Sequence, residues 1–227
     1  ELLAALPSDG RAVLADDPWL RWVGSACSAP ITWVGTNDSC HLIAEGVQAA
    51  DGQLCFSVGG ANFRIPAWGG HHLTAALCAA AVGRMMGMDF SAIAAALENY
   101  RPVPQRCKVV EMRGATIITD PSGSDWAGMS QVLEMLRDID APGRRILVCG
   151  DLSEPDARLP ARHWQLGRDA VAIAGVHLLI ACGRFAKHVA AGARAAGMQP
   201  ARVIACRSPA ESLPYLGQAT QPGDVVL

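Results

Sequence analysis

The sequence predicts an α/β protein whose rear part carries a mainly parallel sheet. Three observations lead there. After residue 105, apolar runs of about five residues alternate regularly with amphipathic stretches of helical period. Those runs (ATIITD, RRILVCG, HLLIACG, ARVIAC) are apolar throughout, as expected of strands buried on both faces. Ahead of them, RPVPQR (101–106) places two prolines in three residues, an extended and stiff linker between two regions.

The elements follow in order. Ala12–Ala15 is a short strand, and Asp17 caps a helix whose first position is Pro18, where proline is favoured. ITWVG (31–35) is the next strand. HLIAEGVQ, GQLCFSVGG and ANFRIPA read as short antiparallel strands, linked by hairpins at Asp51-Gly52 and Gly59-Gly60. A helix opens at Gly70 and stops near Met86 with Gly87 as its C-cap. Asp89 caps a second helix, with Ile93 and Leu97 on one face; so short a connection predicts antiparallel packing. Beyond the linker, helices are expected over Trp126–Arg137, His163–Ala174, Phe185–Ala196 and Pro209–Leu216, and DVVL closes the series as a strand.

Composition narrows the function. The chain has 227 residues, 51% of them hydrophobic and 18% charged, enough to bury roughly 70% of its unfolded surface. A net charge of −2 gives no reason to expect nucleic acid. No apolar run approaches the roughly 18 residues of a membrane span. Residues 1–104 carry five basic and nine acidic side chains, and residues 105–227 carry fourteen and twelve. Eight cysteines are scattered singly, the pattern of buried free thiols in a reducing cytoplasm rather than of a disulfide framework. Both ends, Glu1 and PGDVVL, read as internal to a longer chain. The two lysines, Lys108 and Lys187, follow Cys107 and Ala186, so the chain holds no Gly-Lys-(Ser/Thr) phosphate loop, and GxGxxG is absent.

Some residues stand out chemically. His71 and His72 head an alanine-rich helix, where they can contact a ligand or serve in capping and packing. Neighbouring helical residues point about 100° apart, and no third ligand lies at zinc spacing, so no metal is assigned. Asp120 ends a parallel strand, the place for binding in such sheets, or caps the turn after it. Arg106 can clamp a phosphate or anchor the linker. Asp16 and Asp17 read as turn and cap residues, and Asp151 as part of a loop.

Several segments, in order, resemble the Mur ligase family, and within it the branch that adds D-alanyl-D-alanine in peptidoglycan synthesis. They are LADDPWL (14–20), GGHHLTAALCAAAVG (69–83), LENYRPVPQRCKVVE (97–111), IITD (117–120), RRILVCGDLSE (144–154) and QPGDVVL (221–227). The resemblance implies that residues 1–103 are the rear of a central ATPase domain and 104–227 a Rossmann-like C-terminal domain. It implies ATP and magnesium as cofactors, a peptidoglycan precursor as substrate and a cytoplasmic setting. The reaction would convert a carboxylate to an acyl phosphate, which an amine then displaces. The family's phosphate loop, needed for that activity, would lie in a segment this sequence does not contain. Gly69 and His71 match the family's adenine-facing helix start. His72 and Ala75 stand where the family has two asparagines. Asp120 matches the aspartate expected to hold the ribose, and Arg106 the arginine that closes on the phosphates. PSGSDW departs from the family's dipeptide-facing motif. Two alternatives remain: a Mur-like module that binds or scaffolds without catalysis, and an unrelated Rossmann-type binding protein.

Overall fold

A computed structural model describes residues 2–50, 52–101, 107–120, 125–153 and 158–227. The chain divides into two compact units, Glu1–Pro102 and Val103–Leu227. The linker reading falls largely on residues 102–106, outside the described residues.

The first unit holds two small sheets. Strands β1 (Ala12–Ala15), β2 (Ile31–Gly35) and β3 (Leu42–Ile43) are parallel, and α1 (Pro18–Gly24) connects the first pair. Asp17 caps α1 by accepting from the backbone N–H of Trp19 (2.8 Å) and Leu20 (3.1 Å). Strands β4 (Glu45–Ala50), β5 (Gln53–Val58) and β6 (Ala61–Ile65) form an antiparallel meander. Gly59 and Gly60 have φ of +56° and +81°, the backbone a tight two-residue hairpin requires. Leu42–Ile43 corrects the sequence reading: this piece pairs parallel to β2, and the chain turns at Ala44 before the meander begins. A two-residue pairing is too short to announce its direction in an alternation pattern.

Helix α2 (His72–Met85) packs on β1 and β2, and α3 (Phe90–Leu97), capped by Asp89, packs on β6. Together they bury Leu54, Phe56, Phe63, Leu77 and Ile93 in one core, with Phe56 and Phe63 stacked at 5.0 Å. Helix α2 starts two residues later than the sequence suggests, because Gly69 at φ +88° holds the preceding turn open.

The second unit is one six-stranded sheet in the order β11-β10-β9-β12-β8-β7. Its strands are β7 (Lys108–Met112), β8 (Ala115–Thr119), β9 (Arg145–Cys149), β10 (Leu178–Cys182), β11 (Val203–Cys206) and β12 (Val225–Val226). All pair in parallel except β7, an antiparallel edge strand that the sequence reading missed. Helices α4 (Trp126–Asp138), α5 (Leu159–Ala172) and α6 (Ala186–Ala195) connect strands that advance in one direction across the sheet. Right-handed crossovers therefore place all three on one face. Helix α7 (Pro209–Ala219) carries the chain back to β12 and lies on the other, above Ile146, Ile180 and Val226. That second face is only partly covered, since Met112 at the β7 end stays 55% exposed. Helix α5 begins four residues before the expected His163, with Pro160 in its first turn.

Two contacts fix this unit. Helices α5 and α6 cross at Gly167 and Gly192, where backbone meets backbone. A Cβ on Gly167 would lie 1.8 Å from the Val189 carbonyl oxygen, and one on Gly192 1.8 Å from that of Trp164. The second is Asp224, 2% exposed, just ahead of β12. Its carboxylate accepts from the Arg144 guanidinium (2.7 Å), the Arg144 backbone N–H (2.9 Å) and the Gln221 N–H (2.8 Å). Burial alone would raise its pKa. The hydrogen bonds from Arg144 and Gln221 outweigh burial and hold the carboxyl below the usual carboxylate range.

Gly167→Ala is expected to lower the stability of this unit by about 3 kcal/mol in urea denaturation, because two helices must separate. Gly217→Ala on α7, where a Cβ meets nothing within 4 Å, should instead raise it by up to about 1 kcal/mol. The Asp224 pair contributes stability that is present above the unfolded carboxylate pKa and lost as pH falls through the lowered native value. Asp224→Asn should therefore cost about 2 kcal/mol at pH 7. That gap to the parent should close progressively below about pH 4, as urea midpoints measured against pH will show.

Candidate functional site

Parallel α/β sheets bind ligands beyond the carboxyl ends of their strands. Here the carboxyl ends of β8 and β9 flank β12. A cleft of about 660 Å³ opens there, within the size range of small-molecule sites. Thr119 and Asp120 at the end of β8, Gly150 and Asp151 at the end of β9, and Lys108 on β7 supply its polar lining. Met129, Val148 and Leu216 are among its apolar walls.

Asp120 is half-buried at this cleft, and the Cys107 thiol donates to it at 3.6 Å. Cys107 itself has φ +44°, unusual for a residue with a side chain. Lys108 was not read as a site residue from sequence. Its register opposite Thr119 brings it to the cleft, and only the missed β7–β8 pairing reveals that register.

Asp151 also lines the cleft, but its carboxylate is already engaged. It accepts from the backbone N–H groups of Arg184 (2.8 Å) and Phe185 (2.9 Å), which open α6. Gly183, at φ +111°, leaves room for it; a Cβ there would sit 2.5 Å from an Asp151 oxygen. The loop reading of Asp151 from sequence agrees with this geometry. Beneath it lies His163, fully buried and stacked on Phe185 at 4.5 Å between ring centres. His163 Nε2 accepts from the Leu152 N–H (2.9 Å) and Nδ1–H donates to the Leu159 carbonyl (2.6 Å). Those two bonds define a neutral ring with its proton on Nδ1. Cys149 reaches the cleft too, but burial, reinforced by Cys182 and Asp151, pushes its thiol up to about 12. It is therefore no nucleophile at neutral pH.

The other expected residues lie elsewhere. His71 and His72 belong to the first unit, both half-buried, with ring centres 4.2 Å apart; His72 lies 6.3 Å from the Tyr100 ring. His71 holds the N-cap position of α2 in helical geometry and makes no side-chain capping bond. Capping by its side chain thus drops out of the sequence reading, and packing or ligand contact remains. Arg106 lies outside the described residues. Asp16 accepts from Asn37 and Arg21, whose hydrogen bonds hold its carboxyl below the usual range; this is a turn role, as expected. Among the described residues no three metal-ligating side chains gather. No helix among them is long and apolar enough to cross a membrane.

Comparison with known proteins supplies the context. The family model described as "Mur ligase, glutamate ligase domain" matches residues 105–227. The UDP-N-acetylmuramoyl-tripeptide–D-alanyl-D-alanine ligase of Escherichia coli K12 is 28% identical over 195 residues, covering 81% of this chain and 42% of that ligase. A crystal structure of MurF from Acinetobacter baumannii superposes with a TM-score of 0.81 at 21% identity, over 97% of this chain and 48% of that one. MurF ligase from Thermotoga maritima, solved in complex with ADP, gives 0.79 at 19% identity, over 100% and 51%. The chain thus spans about two-fifths to half the length of these relatives.

His163→Phe keeps the stack on Phe185 but strands the Leu152 N–H. It should cost about 2 kcal/mol and speed hydrogen exchange at Leu152 well beyond that at Leu179 in the sheet centre. Equal exchange at both amides would sink this assignment of the loop's anchor.

Proposed function

We propose, from the premise that this chain belongs to the Mur ligase family, that it forms part of a MurF-like ligase of peptidoglycan precursor synthesis. Residues 1–103 would be the rear of the central ATP-handling domain and residues 104–227 the C-terminal domain. The observation that carries the reading is the position of Asp120. It lines the crevice beyond the end of β8, inside the segment matched by the family model. A carboxylate there can accept from the paired hydroxyls of a ribose, while Met129, Val148 and Leu216 give an apolar bed for a planar base.

ATP, when bound, supplies the phosphoryl group that activates a carboxylate for amide formation. The residues of this chain would hold the nucleoside end and exclude water from it. His71 and His72 offer imidazole donors or acceptors to the base, and Arg106 a guanidinium to the phosphates. Lys108 is the one ammonium lining the cleft, and no phosphate cradle accompanies it. Phosphoryl transfer depends on positioning and charge stabilisation around the phosphates, so this chain by itself should bind nucleotide weakly and turn nothing over. The setting would be the cytoplasm, where nucleotide and precursor occur together.

A second reading has its own observation. His72 and Ala75 fill the two positions where the family presents amides, and Ala75 lies exposed on the first turn of α2 with nothing to offer a base. A binding or scaffolding module without catalysis would look the same at those positions.

Calorimetric titration with Mg-ATP separates the two. The ligase reading expects a dissociation constant near 1 mM or tighter, weakened about tenfold in Asp120→Ala and measurably in His72→Ala. Binding unchanged in both variants, or no heat with ATP at several times that concentration, would favour the non-catalytic module.

A further inference from the structure

The amino ends of the same strands carry a second depression, of about 530 Å³, on the α7 face. Arg144, His177, Arg202, Tyr215 and Gln218 stand around a floor that includes Leu178 and Ile204. No carboxylate lines it. Basic residues are common at this edge of a parallel sheet because helices end there with unsatisfied carbonyls. Two arginines fit that structural role. Arg144 is held by Asp224, and Arg145 donates to the carbonyls of Leu136, Arg137 and Ile139 at the end of α4.

Arg202 has no such role. It is exposed, and among the described residues its guanidinium makes no hydrogen bond or ion pair. His177 Nδ1 accepts from the Arg145 N–H (3.1 Å), so the neutral ring carries its proton on Nε2, which remains a donor. The Tyr215 hydroxyl and the Gln218 amide are likewise without partners among the described residues. Four groups with unmet donors thus meet at one basic depression with an apolar floor.

We propose that this depression binds a phosphate monoester carrying a planar base, a ligand the size of a nucleoside monophosphate. The Arg202 fork matches two phosphate oxygens and His177 Nε2–H a third. Tyr215, 48% exposed, offers a ring for the base to stack on. The Gln218 amide can both donate to and accept from the base edge. This site is separate from the Asp120 cleft at the opposite end of the strands and does not depend on the ligase reading.

The test is an NMR titration of the full ¹⁵N-labelled chain with AMP, and separately with adenosine and with inorganic phosphate, at constant ionic strength. Saturating amide shifts are expected around residues 177–178, 202–204 and 215–219, with a dissociation constant near 1 mM or tighter for AMP. Adenosine and phosphate should each bind at least about fivefold more weakly. Arg202→Gln should weaken AMP about tenfold and Tyr215→Ala about fivefold, both with unchanged thermal melting because both side chains are exposed. Absence of saturating shifts at these residues by 10 mM AMP (roughly ten times the expected constant) overturns the proposal, as does an Arg202→Gln affinity equal to the parent's. Shifts confined to the surroundings of Asp120 would overturn it while leaving the ligase reading intact.

Discussion

The sheet of the second unit depends on one buried carboxylate, Asp224, placed just ahead of β12. Val225–Val226 fills the gap that the chain leaves when it passes from β8 to β9, and without it the two halves of the sheet would share no hydrogen bonds. Asp224 does the holding: buried, it gathers the Arg144 side chain, the Arg144 backbone and the Gln221 N–H, while its own carbonyl accepts from Thr116 on β8. One carboxylate thereby ties β12 to the start of β9 and to β8 at once.

Much of this was legible in the sequence, and the parts that were not share a physical reason. Apolar runs of five separated by amphipathic helices give the parallel strands directly, and Asp17, Asp89 and Gly87 mark helix ends by chemistry that acts within four residues. Strand β7 escaped because its turn is Arg113-Gly114, with φ of +53° and +77°. The backbone there is that of a two-residue hairpin, but arginine is not a residue that announces positive φ. Leu42–Ile43 escaped because two residues show no period. His163 gives no local signal at all: HWQLG reads as one turn of an amphipathic helix, and only the arrival of Leu152 from another element makes the imidazole structural. Gly167 and Gly192 did leave a trace, since a glycine inside a helical pattern usually reports close packing, but the trace does not say against what.

The site residues divide the same way. Asp120 could be nominated from sequence because such sheets bind ligands beyond the ends of their parallel strands. Asp151 stands at the equivalent place one strand over, yet its oxygens are taken by the opening N–H groups of α6. Position in the topology nominates a residue; only its hydrogen bonds decide whether it is still available.

That criterion extends to the whole second unit. Helix N-termini gather at the carboxyl ends of the strands and favour anions, while C-termini gather at the amino ends and favour cations. Asp125 and Asp151 serve the first kind of end, and Arg144 and Arg145 serve carbonyls at the second. A charged residue at either edge is thus explained by the helices alone, and its charge says nothing about ligands. What the helices leave unexplained is Lys108 at one edge and Arg202 at the other. Those residues are the ones on which the two proposed binding sites rest, because the fold can be accounted for without them.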